Sequence, residues 1–259
     1  MGEMDVVDYE IFGSEMQFVE IELDPEEAAV AEAGAMMYMD GGVDMETIIG
    51  DGSRQGFFSK IMGIGRRLLT SESLWMTVYQ NKAEGKKRVA FAAPYPGKII
   101  PLKLSDIGGT LICQKDSFIC AAKGVSIGMH MRKSIGAGFF GGEGFLLQKL
   151  EGDGYAFVHA GGTIRERELC DGEEIRVDTG CIVGYTPSVS FDVKFVGGIK
   201  SMLFGGEGVF LSRLRGPGHV WLQSMPFSRL ADRIVAASKE FGDKRVGETG
   251  EGACCLKSK

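Results

Sequence analysis

The sequence predicts an all-β protein, a triplicated β-sandwich that ends in one short C-terminal helix. Three observations predict it: a stretch that repeats at a fixed offset, apolar residues that alternate with a period of two, and glycines at the turns between the alternating runs. The offset is 64 residues. Gly141, Gly142, Glu143 and Gly144 fall on Gly205, Gly206, Glu207 and Gly208 without a gap, and Gly152 and Gly154 fall on Gly216 and Gly218. Self-similarity at a fixed period marks a chain built of repeated supersecondary units, each burying its apolar face against the next.

The first unit spans residues 15–96. In it Val19, Ile21 and Leu23 alternate with Glu20 and Glu22, which puts one face of a strand on a core and the other in water. A second segment type starts at Glu32 (EAGAMMYMDGGVDM). It recurs at Lys115 and Val177, with Gly34, Ser117 and Gly180 in one register and Val43, Val125 and Val189 in another. The stretch from Glu72, followed by a charged turn and VAFAA, is a weaker copy of the Gly-rich repeat. Phe57–Leu69 (FFSKIMGIGRRLL) is apolar, broken by glycine and basic at its end, and it reads as helical.

The second unit, 97–162, opens on the alternation of Ile100, Leu102 and Leu104 with Pro101 and Lys103. The third, 163–226, carries Val189, Phe191, Val193 and Phe195 alternating with Ser190, Asp192 and Lys194. Short alternating strands punctuated by Gly, Asp and Pro turns indicate a sandwich or barrel. Residues 227–239 are predicted to be the helix, because Ser228 is a suitable N-cap and Leu230, Ile234 and Ala237 share a face. Residues 240–259 are polar and Gly-rich and are expected to be a disordered tail.

Composition excludes several classes. Of 259 residues 39 are Gly, but without a G-X-Y period, so the chain is not collagen-like. The hydrophobic fraction of 44% and a mean hydropathy of +0.02 are too high for intrinsic disorder. No apolar run has the length of a membrane-spanning helix. The net charge of −6 argues against nucleic acid as a partner, because cations that neutralise phosphates carry most of that affinity. None of the six cysteines forms a C-x-x-C pair, which reads as reduced thiols in a cytosolic protein. The acidic start has no signal or presequence character, and a cytoplasmic location is the expectation.

Several long strings carry a family resemblance. They are PYPGKIIPLKL (Pro94–Leu104), CQKDSFICAAKGV (Cys113–Val125), the Gly-rich stretch Gly141–Gly162, DTGCIVGYTPSVSFD (Asp178–Asp192), FVGGIKSMLFGGEG (Phe195–Gly208) and GPGHVWLQSMPFSRLADRI (Gly216–Ile234). Over about residues 8–236 the chain resembles the family that includes the yeast altered-inheritance-of-mitochondria protein, linked to mitochondrial biogenesis. The resemblance implies modules of the Trp RNA-binding attenuation protein (TRAP-like, double-stranded β-helix) type, assembled as a homotrimer. It implies membrane and complex association in the yeast relative, and it supplies no reaction, cofactor or catalytic residue.

The candidate residues are of two kinds. Glu72, Glu143 and Glu207 recur in register although the glycines around the first are replaced. Such carboxylates accept backbone N–H bonds at a strand start, or ring a pseudo-threefold axis where each raises its neighbours' pKa and together they take a divalent cation. Three apolar-basic loops precede them: Phe57 and Phe58 with Arg66 and Arg67, Phe139 and Phe140, and Lys200 with Phe204. They suit ordinary core packing, a subunit interface, or a membrane or partner surface. The Gly-Gly-Glu-Gly turns lack the Lys-Ser/Thr pair of a phosphate-binding loop and read as plain turns. His130, His159 and His219 make no metal spacing, and Cys254-Cys255 reads as idle thiols on the tail. The expectation is a non-enzymatic oligomeric scaffold or binding protein without a cofactor, with an RNA-binding module of the attenuation-protein type as the alternative.

Overall fold

The computed structural model describes residues 7–49, 75–130, 146–195 and 210–250. The described residues form strands and one α-helix. First come β1 (Asp8–Phe12), β2 (Phe18–Leu23), β3 (Ala28–Glu32), β4 (Met36–Met39), β5 (Val43–Ile49), β6 (Trp75–Asn81) and β7 (Lys87–Ala92). Then follow β8 (Gly97–Lys103), β9 (Thr110–Gln114), β10 (Phe118–Ala122), β11 (Ser126–His130), β12 (Leu147–Glu151) and β13 (Tyr155–Gly161). The last strands are β14 (Ile164–Leu169), β15 (Glu174–Asp178), β16 (Ile182–Tyr185), β17 (Ser190–Phe195), β18 (Phe210–Arg215) and β19 (Gly218–Gln223). The helix α1 (Phe227–Gly250) takes in the predicted segment 227–239 and runs on through residues 240–250, which the sequence reading assigns to a disordered tail. The fold is therefore all-β with a C-terminal helix, as the alternating pattern implies.

The strands make four antiparallel sheets, in the orders β1-β2-β7-β4, β5-β6-β3-β10-β13-β8, β11-β12-β9-β16-β19-β14 and β15-β18-β17. Grouping the strands from β2 in sixes gives the same pairings each time. In the first group β2 and β4 flank β7, and β5 and β3 flank β6. In the second β8 and β10 flank β13, and β11 and β9 flank β12. In the third β14 and β16 flank β19, and β17 and β15 flank β18. The groups join edge to edge, β3 to β10 and β9 to β16. A β-bulge also falls at one place in each group: between Met36 and Tyr38, between Phe118 and Cys120, and between Ile182 and Gly184.

Three cores lie between the four sheets, because alternate residues of a strand face opposite sides. Val19, Ile21 and Leu23 of β2 meet Ala29, Ala31 and Tyr79 between the first two sheets. Ala28, Val30 and Val78 meet Leu111, Leu150 and Trp221 between the second and third. Ile112, Ile182 and Val220 meet Phe191 and Leu214 between the third and fourth. The inner sheets have both faces covered, so β10 (FICAA) is buried throughout and shows no polar alternation. Of the glycines matched at the 64-residue offset, Gly141, Gly142, Gly144, Gly205, Gly206 and Gly208 lie outside the described residues, and the other four lie where the pattern puts them. Gly152 and Gly154 fall between β12 and β13, Gly216 falls between β18 and β19, and Gly218 opens β19. Gly218 has φ +142°, and a side chain there would run into the Thr186 and Ser188 hydroxyls, so the turn admits only glycine without rearrangement.

Candidate functional site

The bulges define which residues of β4, β10 and β16 occupy the same place. Met37, Ile119 and Val183 are the bulged residues; Ile119 is 2% exposed and Val183 0%, whereas Met37 is 55% exposed. Tyr38 stands where Cys120 and Gly184 stand, and it too is exposed while Cys120 is fully buried. The difference follows from the pairing. β10 lies against β3 and β16 against β9, but among the described residues β4 pairs only with β7. Tyr38 instead donates its hydroxyl to the Glu20 carboxylate, and that bond holds the Tyr38 pKa above the ordinary tyrosine value.

The complementary edge is β15, which among the described residues pairs only with β18. It corresponds to β3 and β9, whose outer edges carry the joins to the next group. Ala31 and Cys113 are fully buried at those joins, and Val177, in the same register, is only half-buried. β15 also carries charge: Arg176 and Arg213 of β18 lie within 4 Å of Glu174, and Arg213 reaches Asp192 of β17. Both edges are short, and β15 is charged, which is how soluble proteins keep unpaired strands from indiscriminate pairing.

The last residues of β3, β9 and β15 are Glu32, Gln114 and Asp178. Gln114 Nε2 donates to the Thr179 carbonyl at 3.1 Å, so the end of β9 reaches the short turn that precedes β16. Glu32 lies close to the corresponding turn of the second group. Its carboxyl is pushed up to about 7, first by burial and then by the Asp116 carboxylate, against the opposing Lys115 ammonium. Asp178 has no following group to reach. It accepts from the Gly180 N–H and forms an ion pair at 2.8 Å with Arg229 in the first turn of α1.

Two further buried polar groups stand out. His159 of β13 is fully buried, edge-on to Tyr95 at 4.3 Å, and the Tyr95 ring lies 5.3 Å from Phe227, the first residue of α1. Burial pulls the imidazole down to about 4, the Tyr95 backbone opposing weakly, and neither ring nitrogen makes a hydrogen bond of good geometry. Gly97 opposes this ring, and a Cβ there would overlap both the imidazole and the Ala160 carbonyl. Gln148 of β12 is fully buried, and among the described residues neither amide atom has a hydrogen-bond partner. Its counterparts Thr77 and Ser212 are buried too, and Ser212 pairs with the Thr179 hydroxyl at 2.8 Å. Burial alone pushes the Cys120 thiol well up; burial, aided by Glu32, pushes Cys113 up to about 12. Neither is a reactive thiolate.

The residues singled out in the sequence lie outside the described residues. These are Glu72, Glu143 and Glu207, the loop residues Phe57, Phe58, Arg66, Arg67, Phe139, Phe140, Lys200 and Phe204, the helical reading of Phe57–Leu69, and the Cys254-Cys255 pair. The residues that distinguish the edges were invisible to sequence reasoning, although the triple alignment of the segments from Glu32, Lys115 and Val177 contains the signal. It sets Met37 of an MMYM run against the buried Ile119 and Val183. Among the described residues no cluster of His, Cys, Asp or Glu is placed to hold a metal, and no helix is long and apolar enough to cross a membrane.

Fold and edges together define a stack of antiparallel sheets in which, among the described residues, the outer edges of β4 and β15 lack the join that their counterparts in the other groups make. The chain belongs to the family described as Mitochondrial biogenesis AIM24, whose model matches residues 9–225. It is 29% identical over 222 residues to an uncharacterized protein of Streptococcus pyogenes serotype M6, covering 85% of this chain and 86% of the relative. It has the fold of a Streptococcus pyogenes protein solved by X-ray crystallography, with a TM-score of 0.69 at 22% identity over 89% of this chain and 99% of that one.

Proposed function

We propose that the protein is a non-enzymatic oligomeric scaffold or binding protein, built of three copies of one six-strand module and joined head to tail into a homotrimer. The observation that carries the reading is the exposure of Met37 where Ile119 and Val183 are buried. Inside the chain the second strand of one module pairs with the third strand of the next, β3 with β10 and β9 with β16. The unused second strand is β15 and the unused third strand is β4. Pairing β15 of one copy with β4 of another repeats the internal join a third time.

The register follows from the internal joins. Cys120 faces Ala31 and Gly184 faces Cys113, so Tyr38 would face Val177 of the neighbouring copy and Met39 would face Arg176. A head-to-tail contact is heterologous and closes only as a ring. Three chains would give nine modules in the ring, the arrangement expected of a TRAP-like fold. In the cell such a ring offers a repeated binding surface, consistent with a family linked to mitochondrial biogenesis.

Light scattering tests the reading. A solution mass of three times the 28.0 kDa chain is expected. A mass of one chain at every concentration, or of two, would overturn it.

A further inference from the structure

Met45 of β5 is 59% exposed, whereas the residues at its place in the other two modules, Ile127 of β11 and Phe191 of β17, are 1% and 4% exposed. Register fixes the correspondence. Met45 faces Tyr79, Ile127 faces Leu150 and Phe191 faces Leu214, each two residues on from the matching Thr77, Gln148 and Ser212. The next residue on the same face repeats the contrast, since Thr47 is exposed and Met129 and Val193 are half-buried. Trp75, at the start of β6, lies on that face too and is 48% exposed.

The preceding module is what covers Ile127 and Phe191. Met76 and Val78 of β6 share the second core with Ile127 and Leu150, while Ile112 and Leu147 share the third with Phe191 and Leu214. These covering residues point away from the core of their own module. Among the described residues the first core, where Met45 would belong, receives no such cover. The covering positions left unused are those of the third module, Leu211 and Arg213 of β18, which stand where Met76 and Val78 stand in β6 and belong to none of the three cores.

The strand orders lead to the same partner. Each six-stranded sheet takes three strands from each of two successive modules, and β2-β7-β4 and β15-β18-β17 are left as single halves. Pairing β15 with β4 of another copy makes them one such sheet. It also turns Leu211 and Arg213 toward the face that carries Met45 and Trp75. Arg213 already lies 3.8 Å from Glu174 and 3.5 Å from Asp192, so its charge is met within its own sheet. What it offers a neighbour is the flat face of the guanidinium, which stacks on an indole ring.

We propose that the joint has a second layer, in which Leu211 and Arg213 of one copy cover Met45 and Trp75 of the next and close a fourth core between chains. The inference rests on the joint proposed above and deepens it, naming a face-to-face contact that the pairing of two strand edges does not itself require. Arg213 in the place of Val78 keeps the covering face wettable in the free chain.

Trp75 is the natural probe, because the other tryptophan, Trp221, is sealed in the second core. Acrylamide quenching and sedimentation are read on the same full-chain samples, with Met37→Lys supplying the dissociated chain. Trp75 is expected to be shielded in the assembly and to be quenched severalfold more readily in Met37→Lys. Met45→Lys should raise the concentration of half-dissociation at least tenfold, and Asp44→Lys, on the opposite face of β5, should leave it within twofold of wild type. Trimers in which Trp75 is quenched as readily as in the dissociated chain would overturn the second layer and leave the joint standing. So would trimers that the two β5 substitutions weaken alike or not at all. A wild-type mass of one chain at every concentration would overturn joint and layer together.

Discussion

The Arg229 guanidinium meets the Asp178 carboxylate at 2.8 Å, across 51 residues of sequence, and ties the first turn of α1 to the end of β15. Both side chains are partly solvated, at 47% and 24% exposure, so the pair contributes at most about 1 kcal/mol. Its role is to hold the helix in place. Asp178→Asn or Arg229→Ala should leave the melting of the β-sheets nearly unchanged and raise amide exchange at Leu230–Ile234. Exchange as slow as in the wild type would mean that the Tyr95–Phe227 contact holds the helix unaided.

Met37 and Val183 occupy the same bulge in β4 and β16, and they should respond oppositely to a charge. Val183→Lys places an unpaired ammonium in a sealed core and should cost about 3 kcal/mol or more. Met37→Lys leaves the charge in water within one chain, so the monomer should fold with its stability little altered while the solution mass falls to that of one chain. Thermal melts with light scattering on the same samples separate the two effects. A Met37→Lys protein that still assembles would place the interface elsewhere.

Much of the fold was legible because sandwich strands advertise themselves by alternation. Val19, Ile21 and Leu23 are all fully buried in β2, and the matched pairs Gly152/Gly216 and Gly154/Gly218 do mark the β12–β13 and β18–β19 turns. What sequence could not supply was partnership. β4 and β10 have similar local character, and only the strand beside β10 makes Ile119 a core residue where Met37 is not. Glu32 and Asp116 are ordinary surface acids by sequence, and their approach depends on the join of β3 to β10. Composition and periodicity are local, whereas edge status, ion pairs such as Arg229–Asp178 and the burial of His159 are set by contacts between distant segments.

Glu32 makes stability depend on pH. Its folded-state value of about 7 lies above the ordinary 4.5, so between those values the folded chain keeps a proton that the unfolded chain has lost. The contribution is therefore favourable in that window and declines as pH rises through 7, where a charged carboxylate must sit beside Asp116. Glu32→Gln should melt a few degrees above wild type at pH 8 and close to it at pH 5. A difference independent of pH would show that ionisation of Glu32 is not the cause.

His159 acts in the opposite direction. Its imidazole, lowered to about 4 from 6.5, stays neutral in the folded chain while the unfolded chain takes up a proton. Stability from this source is complete above pH 6.5 and is lost as pH falls through 4. The two windows overlap, so the effect is best read in a Glu32→Gln background. There His159→Leu should flatten the fall in melting temperature between pH 6.5 and 4, and an unaltered slope would assign the acid sensitivity to other groups.

Gln148 offers the sharpest contrast between packing and polarity. Thr77 and Ser212, at the matching places, are small hydroxyls near Thr47 and Thr179, whereas the Gln148 amide is sealed in with no partner for either atom among the described residues. An unpaired buried amide costs roughly 1–3 kcal/mol, and methionine fills nearly the same volume without that penalty. Gln148→Met should therefore stabilise the protein by about 1 kcal/mol or more in denaturant unfolding at unchanged m-value. If it destabilises instead, the amide has a partner in solution, an ordered water being the simplest, and the polar side chain in β12 is retained for that contact.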